Sequence, residues 1–261
     1  MLPPLDYERT IQVISDFLRR YVGGAGRKGV VLGLSGGLDS SVACVLAVRA
    51  LGPEKVHGLI MPDTRITPTE DVEDAVALAE KLGIQHQIIE IDQVYDSSSK
   101  AMRFYRADAD VPNANLRARI RMIILYYYAN LNDLLVCGTS DKSEIILGYF
   151  TKYGDGGADI IPIGDLYKTQ VRELARKLNL PTRIIKKPSS PRLLPGQTAE
   201  EELGATYEEI DQVLYLHFER GLSPSEVERE TGIDLGKIER IIERVHANEH
   251  KRQLPPVAKI K

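Results

Sequence analysis

Ser35-Gly36-Gly37-Leu38-Asp39-Ser40-Ser41 lies where a strand pattern gives way to a helical one. Before it, Val30-Val31-Leu32-Gly33-Leu34 reads as a buried strand. After it, Ser40 to Ala50 reads as a helix that Gly52-Pro53 ends. Adjacent glycines let the backbone turn tightly and leave no side chain in the way of a ligand. Ser35, Ser40 and Ser41 add hydroxyls, and the first amides of the helix carry the positive end of its dipole. The stretch is a cradle for a polyphosphate. It lacks the lysine of the pattern GxxxxGK[ST] and carries Asp39 instead. A carboxylate beside phosphates is repulsive unless a cation lies between them, so Asp39 reads as a magnesium ligand. The plainer reading is an ordinary serine-glycine turn; three serines, two glycines and an aspartate at one junction speak against it.

Elsewhere in the chain, Leu5 to Tyr21 has helical spacing and Gly23 to Gly29 reads as a break. Val56 to Met61 is a second strand, Thr69 to Leu82 a helix closed by Gly83, and Gln85 to Ile91 a third strand. Asn113 to Asn130 reads as a long helix, Leu134 to Cys137 as a fourth strand, and Ser140 to Leu147 as a short helix. Strand and helix alternate through short links. That implies an α/β fold, a doubly wound and mostly parallel sheet in three Rossmann-like layers. Such sheets bind ligands at the carboxyl ends of their strands. Tyr149 to Ile163 is a loop rich in glycine and aspartate, and Lys168 to Leu178 a helix. Helical pieces come after it at Tyr207 to Arg220, Pro224 to Thr231 and Leu235 to Asn248. The expectation is one domain over residues 1–261: a core sheet region at about 28–185, a mobile loop at about 186–204, and an extra helical C-terminal part at 205–261.

Composition bounds the function. With 34 basic and 37 acidic side chains the net charge is −3, without the basic excess that a nucleic-acid backbone demands. Cys44 and Cys137 sit in apolar runs and read as buried free thiols. No apolar run approaches the roughly 18 residues needed to span a membrane, and Met1 to Tyr21 reads as a charged amphipathic helix rather than a signal peptide. The expectation is a cytoplasmic protein with no membrane and no nucleic-acid partner. Gly24 to Gly29 matches GxGxxG but precedes a strand rather than a helix, so it is rejected as a dinucleotide fingerprint. His246 to His250 matches HxxEH and reads as a solvated helix end. Pro224 to Val245 has the outline of a helix-turn-helix, but Glu226, Glu228, Glu230, Glu239 and Glu243 would repel phosphates. Tyr126-Tyr127-Tyr128 reads as core and dimer contact.

Residues 35–40 carry the unbroken SGGxDS signature, and here the chain resembles the ATP pyrophosphatases, of adenine nucleotide alpha hydrolase-like fold. The resemblance implies that the loop binds the pyrophosphate portion of ATP and releases it after a substrate is adenylated. Further segments resemble the ammonia-dependent NAD synthetases. Asn115 to Met122, Gly138 to Glu144, Thr151 to Asp159, Asp165 to Arg172, Gly196 to Gly204 and His250-Lys251-Arg252 are similar to that family's motifs.

The same resemblance implies a set of site residues. ATP would be bound by Gly33, Leu34, Ser35, Gly36, Gly37, Leu38, Asp39, Ser40, Thr139, Lys168 and Ser189, with Ser190 as the alternative to Ser189. Deamido-NAD would be bound by Arg119, Lys152, Asp159, His250 and Lys251. Magnesium (Mg2+) would be held by Asp39 and Glu144, and a homodimer would bind substrate at its subunit interface. Pro188-Ser189-Ser190-Pro191 departs from the family's usual form, and Met61 to Arg65 does too, so Arg65 is left out of the site. Arg117 and Arg121 read as solvated partners of carboxylates.

The implied reaction amidates deamido-NAD with ammonia to give NAD, AMP and pyrophosphate through an acyl-adenylate, the last step of NAD biosynthesis. The chemistry suits the residues. Adenylation brings two anions together, and a metal between Asp39 and Glu144 with Lys168 nearby would neutralise the charge. Ammonium must lose a proton before it attacks, and Asp159 is the candidate to take it. The length leaves no room for a fused glutaminase, so free ammonia is the expected nitrogen donor unless a separate subunit supplies it. The rival readings are another ATP pyrophosphatase, such as a transfer-RNA modifying or GMP synthetase-like enzyme, and a DNA-binding regulator.

Overall fold

The computed structural model describes every residue except 1, 191, 192, 194, 195, 197 and 261. Its centre is a parallel sheet of β1 (Gly29–Gly33), β2 (Val56–Ile60), β3 (Gln85–Ile88) and β4 (Leu134–Val136), in the order β3-β2-β1-β4. The central strand β1 is an apolar run because both its faces are covered. Val30 and Leu32 pack on one side with α1 (Tyr7–Gly24), α2 (Leu38–Leu51) and α3 (Thr69–Leu82). Val31 points to the other side, beneath α4 (Asp92–Ala101) and α5 (Asp110–Asn132). The alternation of Val30, Val31 and Leu32 thus builds three layers.

α6 (Lys142–Leu147) follows β4, and α7 (Lys168–Lys177) joins the first face beside α2. α8 (Thr182–Lys186) and α9 (Ala199–Leu203) flank the segment of Pro188 to Thr198. Residues 191, 192, 194, 195 and 197 of the expected mobile loop lie outside the described ones. α10 (Tyr207–Leu214), a π-helical turn (Tyr215–Glu219), α11 (Pro224–Thr231), α12 (Leu235–Ala247) and α13 (Glu249–Arg252) complete the chain. Tyr207, Ile210, Val227, Ile238 and Val245 form a separate apolar core against Leu147 of α6. α11 and α12 turn at Gly232, whose φ is 73°, but their apolar faces are spent on this core.

The expected elements are present, with shifted ends. α1 runs through Gly23 and Gly24, where a break was expected. α5 starts at Asp110, because Pro112 fits a first turn whose N–H groups have no intrahelical partner. α4 had no sequence signal: it is rich in serine and buries only Tyr95. Cys44 and Cys137 are free and buried, and no helix among the described residues is long and apolar enough to cross a membrane.

Candidate active site

The glycine loop leaves β1 at its carboxyl end and enters α2. Gly36 has φ +72°, and a Cβ there would lie 2.0 Å from the backbone oxygen of Asp71. Only glycine allows this approach. The Gly36 carbonyl accepts from Lys187 Nζ at 3.0 Å, and that ammonium also bonds Asp71 (2.7 Å) and Asp74 (2.8 Å). Ser35 Oγ and Ser40 Oγ lie 3.0 Å apart, and Ser41 Oγ donates to the Gly37 carbonyl at 2.7 Å. Ser41 therefore braces the loop. No side chain caps α2, so its first turn is available to an anion.

At the end of this loop lies a cluster of charge. Lys168, the first residue of α7, is fully buried. Its Nζ is 2.7 Å from Asp39 Oδ2, 2.8 Å from Asp141 Oδ2 and 2.9 Å from Glu144 Oε1. Asp39 comes from the first turn of α2. Asp141 caps α6 by accepting from the Glu144 N–H at 2.8 Å, and this capping box brings both carboxylates to one helix start. The three carboxylates each offer an oxygen within 4.8 Å of the others. Burial would lower the Lys168 pKa, but the carboxylates outweigh it and hold it well above the usual value. One ammonium does not satisfy three acids. Burial and mutual repulsion push Asp141 up to about 6 and Glu144 up to about 8, against the pull of Lys168. Asp39 Oδ1 is buried without a hydrogen-bond donor among the described residues. A set of hard oxygens with net negative charge and an orphaned lone pair fits a small divalent cation.

A cleft of about 260 Å³ opens from this cluster. Gly33, Leu34, Ser35, Gly37, Leu38, Asp39, Ser40, Thr139, Glu144, Ser189 and Ser190 line it, as do Met61, Arg121, Tyr149, Asp155 and Lys187. Gly36 and Lys168 do not: Gly36 turns toward Asp71, and Lys168 is held by the carboxylates.

The expected deamido-NAD residues gather elsewhere, around the loop of residues 148–159. Arg119 is exposed and donates to the Lys152 carbonyl at 3.4 and 3.3 Å. Lys152 Nζ donates to the His250 carbonyl at 2.5 Å. Lys251 Nζ donates to the carbonyls of Gly148 (2.7 Å) and Phe150 (3.1 Å). Asp159 accepts from Tyr126 Oη at 3.2 Å and from the Val136 N–H at 2.7 Å. None of Arg119, Lys152, Asp159, His250 and Lys251 lines the cleft.

Two expectations need correction. Arg117 and Arg121 are not solvated. On α5 they are one turn apart and face inward, whereas Arg119 lies on the opposite side. Arg117 Nε bonds the buried Asp63 at 2.7 Å, and Arg121 Nε donates to the Met61 carbonyl at 2.9 Å. Burial pushes the Arg121 guanidinium down to about 10.

Asp141 and Asp155 are absent from the residues expected on sequence. Asp141 carried a signal, three residues before Glu144 at a helix start. Asp155 is open to the solvent of the cleft yet surrounded by protein, and the latter raises its carboxyl pKa despite a bond from the Thr151 N–H at 3.0 Å.

The family model described as NAD synthase matches residues 10–255. The NH(3)-dependent NAD(+) synthetase of Hyperthermus butylicus is 54% identical over 252 residues, 97% of this chain and 91% of that protein. A structure described as NMN synthetase from Francisella tularensis superposes with a TM-score of 0.87 at 35% identity, over 98% of this chain and 100% of that one. The NH3-dependent NAD synthetase of Campylobacter jejuni, in complex with the nitrate ion, gives 0.82 at 35% identity, again over 98% and 100%.

Proposed function

This chain belongs to the NAD synthase family, and from that premise we propose that it amidates deamido-NAD with ammonia and ATP, releasing NAD, AMP and pyrophosphate. The observation that carries the reading is the cluster of Asp39, Asp141, Glu144 and Lys168 beside a lysine-free glycine loop. Ser35 and Gly37 with the first turn of α2 hold the phosphates that leave as pyrophosphate. Asp39 and Glu144 would hold magnesium, which would supply positive charge against the phosphates. Lys168 adds a buried ammonium at the same place.

The deamido-NAD carboxylate attacks the α-phosphorus of ATP, the bond to the bridging oxygen breaks, and pyrophosphate departs. Ammonia attacks the acyl carbon, AMP leaves with the bonding pair, and the nitrogen gives up one proton to solvent. The ammonium proton goes to Asp155, whose carboxyl faces the cleft and is made more basic by the protein packed around it. Asp159 suits this role less, since both its oxygens already accept hydrogen bonds.

The active form in this reading is a homodimer. Ile123 (61% exposed), Tyr127 (72%) and Leu131 (71%) form an apolar stripe on the outer face of α5. Arg119 lies on the same line, one turn earlier. An exposed apolar helix stripe that ends at a substrate-binding arginine suits a subunit interface shared with substrate. The buried free thiols suit a reducing cytoplasm.

Purified protein incubated with deamido-NAD, ATP, ammonium chloride and magnesium chloride is expected to form NAD, AMP and pyrophosphate in equal amounts. A protein that forms no NAD would end the reading. Faster turnover of nicotinic acid mononucleotide to NMN would move the substrate from dinucleotide to mononucleotide.

A further inference from the structure

The expected phosphate contact Lys168 begins α7, and the first N–H groups of a helix need outside acceptors. The preceding residue, Tyr167, does not supply them: its hydroxyl reaches away to Glu219 at 2.7 Å. The acceptors come from a distant helix. Asp211 of α10, fully buried, accepts the Thr169 N–H at 2.9 Å and the Thr169 hydroxyl at 2.7 Å on one oxygen. On the other it accepts the Ser143 hydroxyl at 2.6 Å. Ser143 Oγ in turn accepts the Lys168 N–H at 2.9 Å. Ser143 itself lies between Asp141 and Glu144 on α6.

Among the described residues no ion pair involves Asp211, and the Lys168 charge reaches it only at longer range. A buried carboxylate without a cation partner is costly. Here three donors and the positive end of the α7 dipole offset the cost. A local Ser, Thr or Asp at the start of α7 would cap the helix more cheaply. What a local cap would not do is join α6 to α7. The Asp211 network does, and so sets the Lys168 backbone against the segment that carries Asp141 and Glu144. An asparagine would turn an amide donor toward donors, and an apolar side chain would leave the Thr169 amide and the Ser143 and Thr169 hydroxyls without their acceptor.

We propose that Asp211 is a positioning residue: it caps the helix of Lys168 from across the fold and thereby holds Lys168 in register with the acidic cluster. The proposal rests on the amidation reading above. Asp211→Asn and Ser143→Ala are compared with the parent chain, each assayed for NAD formation well below its melting temperature. The expected result is a fall in kcat of about ten- to a hundredfold for Asp211→Asn and a smaller fall for Ser143→Ala. KM values for ATP and deamido-NAD stay within about twofold. Lower melting temperatures with unchanged kcat in both variants would reduce Asp211 to a structural residue and overturn the proposal. Should Asp211→Asn not fold, Ser143→Ala decides, since it keeps both Thr169 contacts.

Failure of the amidation reading looks different: the parent chain itself makes no NAD. In that case Mn2+ binding, followed by electron paramagnetic resonance, carries the test. A change of about tenfold in affinity in the variants supports the register, and unchanged affinity overturns it.

Discussion

The ammonium of Lys168 lies 2.7 Å from a carboxylate oxygen of Asp39, a residue 129 positions earlier in the chain. It joins the helix after the glycine loop to the helix after the loop of residues 148–159. The same ammonium forms ion pairs with Asp141 and Glu144, so one buried cation holds together the charged groups of the site.

Lys168→Met leaves three crowded carboxylates without their cation. Breaking a buried ion pair from one side costs about 3–5 kcal/mol, so the melting temperature is expected to fall. Magnesium chloride should raise it again, and by more than in the parent chain, because the metal then replaces the missing charge. Turnover should fall by about a hundredfold or more. Calorimetry with and without magnesium checks this; equal shifts in the two proteins would contradict it.

Gly36→Ala and Gly83→Ala place alanine at nearly the same positive φ, 72° and 68°, in different surroundings. At Gly83 no heavy atom lies within 4 Å of the new Cβ. The expected cost is only the left-handed backbone, about 1–2 kcal/mol, with kcat/KM unchanged. At Gly36 the new Cβ meets the Asp71 backbone oxygen at 2.0 Å, so the loop must move. The kcat/KM for ATP is expected to drop by about a hundredfold. Urea unfolding and steady-state kinetics on both variants separate the effects.

Asp63→Asn tests the buried carboxylate that ties Arg65 to Arg117. Asp63 is fully buried and bonded by Arg65 Nε and Arg117 Nε, each at 2.7 Å. Both guanidinium groups also lie over the Tyr95 ring. Burial pushes the Asp63 carboxyl up, but the arginine hydrogen bonds prevail and hold it below its ordinary value. A lowered folded-state pKa means that the stabilisation is complete above the unfolded value of about 3.9. It is lost as pH falls through the folded value. At pH 7 the variant is expected to be less stable by about 2 kcal/mol. The gap to the parent chain should shrink as pH falls below about 4. A gap independent of pH in urea titrations would refute this.

Tyr127→Glu tests the dimer. A charge at the centre of the α5 stripe opposes its burial against a second copy. Sedimentation is expected to give a dimer for the parent chain and a monomer for the variant. Activity should fall with the dimer, because Arg119 lies on the same helix face. A monomeric parent chain with full activity would remove the interface from the reading.

The local features are legible in the amino-acid order. Adjacent glycines with Asp39, the apolar run of Val30 to Leu32, and the Thr69–Leu82 helix closed by Gly83 come from spacing and backbone preference, which act over a few residues. Convergence is not legible there. Asp141 joins Asp39 and Lys168 because α2, α6 and α7 pack together. Arg117 and Arg121 face inward because α5 turns that side to Asp63 and Met61. Asp155 reaches the cleft while Asp159 is tied to Val136 and Tyr126. α4, with a single buried side chain, has no periodic signal, and Tyr95 holds it in place against Arg65 and Arg117. Each of these depends on burial and charge shared between segments tens of residues apart, and a motif carries no record of what will pack against it.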